Sequence, residues 1–214
     1  MDPHVQAILF DIDGTLVDST KAVERSWRTW AREYHVDAEA VLQVCHGRRT
    51  EDVVAQFVSL QQQAAAVARE LALEMADLDG VAALPGSRQM LDALPRRRWA
   101  AVTSGERLLM TARLEASGLP VPHTLVSAED VATGKPSPEG YLKAAAALGF
   151  EARHCLVVED SPAGISAGRA AGAQVVAVST THNVAELVSA HAVVTDLSCI
   201  SVEVTDRGVA VLMP

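Results

Sequence analysis

The chain has 214 residues, 49% of them hydrophobic, and a formal net charge of −9. That length suits one domain, or a core with an inserted subdomain, and supplies enough apolar residues for a sizeable interior. The acidic balance argues against nucleic acid or an anionic membrane surface as a partner, and no apolar run is long enough to span a bilayer.

Residues 5–10 read as a buried strand that ends in Asp11 and Asp13, with Gly14 directly after them. Two carboxylates at a strand tip repel each other and serve no packing purpose. They make sense around a cation such as Mg²⁺, with one aspartate as nucleophile and the other as acid/base. Residues 20–35 and roughly 38–78 are rich in alanine, glutamate, glutamine and arginine and read as helices. Trp27 and Trp30 share one helix face and read as packing. The segment LPGSR from Leu84 marks a turn and a fresh helix start.

Residues 99–103 form a second apolar strand, followed by a helix over roughly 106–117. Residues 125–127 are a short third strand. Residues 138–148 are a helix with Pro138 near its start. Residues 155–158 are a strand ending at Glu159 and Asp160, residues 162–171 a helix, and 174–178 a further strand. Residues 192–194 add another, and 201–213 alternate like a terminal hairpin around the DRG turn at 206–208.

Three cysteines, Cys45, Cys155 and Cys199, lie far apart without metal-ligand spacing, so a reduced, cytoplasmic setting is expected. The first residues, MDPHVQ, carry no basic stretch before an apolar core, and no secretory signal is expected. The chain has three lysines, Lys21, Lys135 and Lys143. Lys135 sits in the turn TGKPSP, where Pro136 keeps it out of a helix. Taken alone it reads as a solvated loop lysine; the alternative is a point charge aimed at an anion.

Alternating strands and helices predict an α/β fold, a Rossmann-like parallel sheet with helices on both faces, whose chemistry gathers beyond the carboxyl ends of the strands. Four strand ends carry polar groups: Asp11 with Asp13, Thr103 with Ser104, Lys135, and Glu159 with Asp160. Any one of them could be a helix cap. Four in series around one crevice are hard to explain that way.

The runs DIDGTLVDS at 11–19, the strand end at Thr103, GKPSPEGY at 134–141 and VEDSPAGI at 158–165 resemble, in order, the four motifs of the haloacid dehalogenase superfamily. The likeness covers essentially the whole chain. It is greatest to the superfamily's phosphatases with a small helical cap inserted after the first motif. HGRRTED at 46–52, AVTSG at 101–105 and SAEDV at 127–131 are most similar to sugar- and polyol-phosphate phosphatases, of the 2-deoxyglucose-6-phosphate and glycerol phosphate types.

The resemblance implies a Rossmann-like core over 1–18 and 84–214 and a helical cap over 19–83. It implies hydrolysis of small phosphorylated sugars or polyols through an aspartyl-phosphate. Asp11 attacks phosphorus. Asp13 protonates the leaving alkoxide and then deprotonates the water. Mg²⁺ is held by Asp11, the Asp13 carbonyl and Asp160, with Glu159 assisting. Thr103, Ser104 and Lys135 bind the transferring phosphoryl oxygens, with Gly105 beside them, and Lys135 also steadies Asp11. Substrate choice is expected from the cap, through His46, Gly47 and Arg49, with Arg48 and Glu51 as lesser candidates and Asp18 and Ser19 at the hinge.

The presence of Asp13 speaks against a dehalogenase, whose halide leaving group needs no proton. A phosphonatase needs a cap lysine for its Schiff base, and the expected cap has only Lys21. A sugar phosphomutase shares all four motifs. The β-phosphoglucomutases, however, carry a histidine where this chain has Val23, an arginine at Thr50 and a lysine at His46. A non-catalytic binding module is the remaining rival, and it conflicts with the full set of catalytic residue types. The protein is expected to act as a monomer.

Overall fold

The structure, a computed structural model, describes residues 4–213. Residues 1–3 and 214, at the ends of the expected core, lie outside the described residues.

Six parallel strands form the central sheet: β1 (Ala7–Phe10), β2 (Trp99–Val102), β3 (Leu125–Val126), β4 (Cys155–Glu159), β5 (Gln174–Val178) and β6 (Ala192–Val194). Their spatial order is β3-β2-β1-β4-β5-β6. The order of strands reverses between β1 and β4, which opens a crevice at their carboxyl ends. Helices cover both faces: α5 (Ser87–Ala93) and α6 (Arg107–Ala116) on one, α7 (Glu139–Ala147) and α8 (Pro162–Ala170) on the other.

Period-two alternation assigns the strand residues to these layers. Ile8, Phe10, Trp99, Ala101, Leu156 and Val158 join the cluster with Met90, Met110 and Leu114. Ala7, Leu9, Ala100, Val102, Cys155 and Val157 join the cluster with Tyr141, Ala144 and Ile165. A strand buried on both faces reads as an uninterrupted apolar run, which is how residues 7–10, 99–102 and 155–158 appear.

The expected strand over 5–10 is broken at Gln6. His4–Val5 leaves the sheet and pairs with Gly208–Leu212 of the terminal hairpin, which itself pairs with Ser201–Thr205. The expected helical stretch over 38–78 is also broken, into α2 (Ala38–Cys45), α3 (Thr50–Val54) and α4 (Leu60–Ala76), after α1 (Thr20–Tyr34). Gly47 turns the first break at φ +72°. Ser59 and Gln62 form a capping box that restarts the chain as α4.

These four helices have their own interior, built on Trp27, Trp30, Val41, Val53, Val54 and Ala66. Trp30 stacks edge-on to Trp27 at 5.3 Å and donates its indole N–H to the Ala66 carbonyl at 2.9 Å, so the tryptophans pack as expected. Both chain crossings between sheet and helical insert run side by side, Val17–Asp18 pairing antiparallel with Ala82–Ala83.

One acid of the insert is out of keeping with its surroundings. Glu70 is fully buried, and neither carboxyl oxygen has a hydrogen-bond partner among the described residues. Burial, with Glu74 nearby, pushes its pKa from 4.5 up to about 8. Its folded value is raised, so folding takes up a proton, and native stability falls as pH rises from about 4.5 to about 8. Glu70→Gln is therefore expected to melt several degrees above the parent at about pH 9 and near it at about pH 5. Thermal melts at the two pH values check this; parallel shifts of both proteins would remove the assignment.

Candidate active site

Asp11 follows β1 directly, and residues 12–17 then coil tightly. The N–H groups of Leu16 and Val17 donate to the Ile12 carbonyl at 2.8 and 2.9 Å, and Gly14 N–H donates to Val17 at 2.8 Å. Gly14 sits at φ +83°, and a Cβ there would lie 2.3 Å from Asp160 Oδ2. The turn is thus pressed against the end of β4, and only glycine fits.

The buried centre is a cluster of three carboxylates and one ammonium. Lys135 Nζ donates to Asp11 Oδ1, to Glu159 Oε1 at 2.5 Å and to the Val102 carbonyl at 3.3 Å. Three partners use its three donors. Glu159 is equally full. Its Oε1 also accepts from Tyr141 at 2.8 Å, and its Oε2 accepts from the Asp160 and Ser161 N–H groups and the Ser161 hydroxyl at 3.0–3.2 Å. A Cβ on Gly164 would fall 1.7 Å from Glu159 Oε1, so the first turn of α8 leaves room for this carboxylate. Asp160 accepts from the Thr181 hydroxyl.

The charges do not balance. Burial raises the Asp11 carboxyl well above its usual range, against the pull of Lys135. Burial and then Glu159 push Asp160 up to about 7. For Glu159, burial works upward too, but Lys135 and the hydrogen bonds prevail and hold it below its usual value. Oxygens of Asp11, Glu159 and Asp160 lie within 4.8 Å of one another. A divalent cation fits this excess of hard oxygen donors. Asp11 and Asp160 keep oxygens to offer it, while those of Glu159 are already engaged.

Above the cluster is a cavity of about 70 Å³, lined by Asp11, Asp13, Thr103, Ser104, Gly105 and Asp160 from the sheet. The insert closes it with Ser19, Val23, Trp27, His46, Gly47, Arg48 and Glu74. Ser104 Oγ donates to the Gly47 carbonyl at 2.9 Å, and a Cβ on Gly47 would lie 2.9 Å from Ser161 Oγ. The glycine turn thus rests directly on the sheet side of the site. His46 is held below its usual pKa by burial and by His182, so it meets a ligand as a neutral ring.

Two expected substrate groups are elsewhere. Asp18 is exposed and accepts from Thr20 N–H at 3.1 Å at the start of α1, beside an open groove with Lys21 and Glu24. Arg49 forks onto Asp52 at 3.0 and 3.1 Å, with Glu51 at 3.4 Å, and its stem lies against Gly134. The acids that follow it in α3 capture the guanidinium. It borders a smaller pocket with Thr103 and Lys135, and its neighbour Arg48 lines the main cavity.

Sequence reasoning missed Arg113 and Glu74. Arg113 lines the cavity and donates to Asp13 Oδ2 at 2.6 Å and to Glu74 Oε1 at 2.8 Å. Ser19 Oγ donates to the other Asp13 oxygen at 2.7 Å. A signal existed: Leu109, Met110, Arg113 and Leu114 fall on one helical face, and an arginine amid that stripe is out of pattern.

A doubly wound sheet with paired aspartates, a buried lysine and a second acidic pair at adjacent strand ends defines an α/β enzyme of group-transfer type. The chain belongs to the haloacid dehalogenase-like hydrolases, whose family model matches residues 5–172. It is 39% identical to hexitol phosphatase A of Escherichia coli (strain K12), over 95% of this chain and 96% of that one. It is 36% identical to glycerol-1-phosphate phosphohydrolase 2 of Saccharomyces cerevisiae, over 83% of this chain and 76% of that one. A solved hydrolase structure from Pseudomonas syringae shares the fold, with a TM-score of 0.82 at 24% identity over 90% of this chain and 94% of that one. Among the described residues no helix is long and apolar enough to cross a membrane.

Proposed function

We propose that the protein is a Mg²⁺-dependent phosphatase that hydrolyses phosphate monoesters of small sugars or polyols through an aspartyl-phosphate. The observation that carries this reading is the Asp11 carboxylate, fixed through one oxygen by Lys135 at the floor of a cavity that Asp13 also lines. The helical insert over 19–83 serves as a cap on the core formed by 1–18 and 84–214.

Oδ1 of Asp11 is engaged by Lys135, which leaves Oδ2 to attack phosphorus. As that P–O bond forms, the bond to the ester oxygen breaks, and Asp13 gives its proton to the departing alkoxide. Asp13 then takes a proton from water as the water attacks the aspartyl-phosphate, which frees phosphate and regenerates Asp11. Thr103 and the Ser104 N–H are donors for the phosphoryl oxygens. Thr103 Oγ itself accepts from Gly105 N–H at 3.0 Å, which orients the hydroxyl. Asp11, Asp160 and the Asp13 carbonyl would hold the metal, with Glu159 behind them, and its charge would offset that of the phosphoryl oxygens. Lys135 has all its donors spent within the cluster, so its part is to fix Asp11 and Glu159.

The cap side favours a neutral polyhydroxyl group. Glu74, neutral His46, Ser19, Arg48 and Trp27 line that side and offer hydrogen bonds and an apolar wall. A second phosphate, which a mutase must hold, would meet Glu74 and find Arg113 already neutralised, with Arg48 left as a cation on the cavity wall. Buried Cys45 and Cys155 have thiols pushed up to about 12 and about 11 by burial, which leaves them inert. The net charge of −9 fits a cytoplasmic monomer that works on small phosphorylated molecules, with neither nucleic acid nor membrane as partner.

The test is phosphate release with Mg²⁺, and with EDTA in its place, over hexitol, glycerol, hexose and nucleotide monophosphates. Metal-dependent release highest on polyol or sugar phosphates is expected. Isomerisation of a hexose 1-phosphate without release would replace this reading with a mutase.

A further inference from the structure

The ion pair that spans core and cap lies outside the four motifs. Arg113 comes from α6 beneath the sheet's carboxyl edge, and Glu74 comes from the last turn of the cap helix α4. One guanidinium nitrogen donates to Asp13 at 2.6 Å and the other to Glu74 at 2.8 Å. The Arg113 and Glu74 side chains are 3% and 8% exposed, and that of Asp13 is 30% exposed, so the carboxylate keeps an open side toward the cavity. Nε of Arg113 is buried without a hydrogen-bond partner among the described residues. A buried arginine kept only for stability would be expected to satisfy that donor, since leaving it unpaired is unfavourable. The fork is instead set by two carboxylates from two different parts of the molecule.

Asp13 needs this support. It stands on a turn rather than in a strand, two residues from Asp11, and its carboxylate must face the leaving group at hydrogen-bonding range. Ser19 holds Oδ1 from the hinge and Arg113 holds Oδ2 from the core. With both in contact, the side chain has little freedom left. Glu74 in turn holds the Arg113 fork in plane, so its orientation depends on α4 being seated.

We propose that Arg113 is a positioning residue, which directs the Asp13 carboxylate at the leaving group and does so through Glu74 only when the cap is seated. The proposal rests on the reading that Asp13 serves as acid/base. It distinguishes substrates by their leaving groups. An alkoxide from a polyol must be protonated as it departs, whereas p-nitrophenolate leaves without help. Misdirecting Asp13 slows departure of the first and spares departure of the second, while the later attack of water on the aspartyl-phosphate is the same step for both esters.

The experiment compares kcat/KM, which reads the steps up to departure of the leaving group, for glycerol phosphate and p-nitrophenyl phosphate in the parent, Arg113→Met, Arg113→Lys, Glu74→Gln and Asp13→Asn. Arg113→Met is expected to lose on the order of 10²-fold on the alkyl ester and less than about 5-fold on the aryl ester. Glu74→Gln, which keeps a hydrogen-bond acceptor, is expected to show the same split in weaker form. Arg113→Lys restores one contact and is expected to fall between Arg113→Met and the parent. Equal losses on both esters in Arg113→Met, with a split in Asp13→Asn, would overturn the proposal alone. Equal losses in Asp13→Asn as well would remove the acid role and the proposal with it. If Arg113→Met does not fold, the split in Glu74→Gln and Arg113→Lys decides the matter by the same criterion.

Discussion

Asp11→Asn is expected to abolish turnover, by at least about 10⁴-fold in kcat, without loss of the fold. The amide is nearly the same size as the carboxylate, and the site that receives it is closed. It can still accept from Lys135 through its carbonyl oxygen, but it has no anionic oxygen to present to phosphorus. Stability should move the other way. Burial already disfavours the ionised form of Asp11, so a neutral side chain at this position removes an unfavourable charge. In EDTA the variant is expected to unfold at a urea concentration equal to or above that of the parent. Measurable phosphate release from the purified variant would take the nucleophile's role away from Asp11.

Lys135→Met is the opposite case, and is expected to lose both activity and stability. Among the described residues its ammonium is the one cation in contact with Asp11 and Glu159. Without it, three buried carboxylates share a space in which their oxygens lie within 4.8 Å of one another. Breaking a buried pair by removing one partner typically costs about 3–5 kcal/mol, because the charges left behind are uncompensated. Urea unfolding in EDTA should show a loss of that order, and Mg²⁺ should recover part of it by binding the acids that remain. A variant with parental stability in EDTA would show that Lys135 does not neutralise the cluster. The pair of variants separates chemistry from folding: both are inactive, but only one is unstable.

The sheet and its acids were legible because their signals are local. A strand buried on both faces is an uninterrupted apolar run, so residues 7–10, 99–102 and 155–158 could be read directly, and the residues just beyond them had to lie at one edge. Lys135 was harder, since a loop lysine is usually solvated, and only its company in sequence pointed inward. The four-helix insert was read as helical but not as broken at 55–59, where a capping serine decides the path. The first strand hid its break at Gln6 because His4–Val5 pairs with residues some two hundred positions away. The choice between Arg48 and Arg49 was beyond reach. They are adjacent, and the turn at Gly47 settles which one faces the cavity. Arg113 and Glu74 meet only after the insert has folded back onto the core, a contact that no short spacing encodes, although each sits on the buried face of its helix.

The paired crossings, Val17–Asp18 beside Ala82–Ala83, give the molecule a replaceable part. Both cuts needed to excise the cap fall at the same spot, where Asp18 and Ala82 are exposed and Val17 packs into the core. A chimaera that receives a foreign cap there should keep the hydrolytic centre and acquire a new taste in substrates. Its working rate should then depend on whether the incoming segment brings an acid to the position of Glu74, which makes that carboxylate the fitting by which any transplanted cap is accepted or refused.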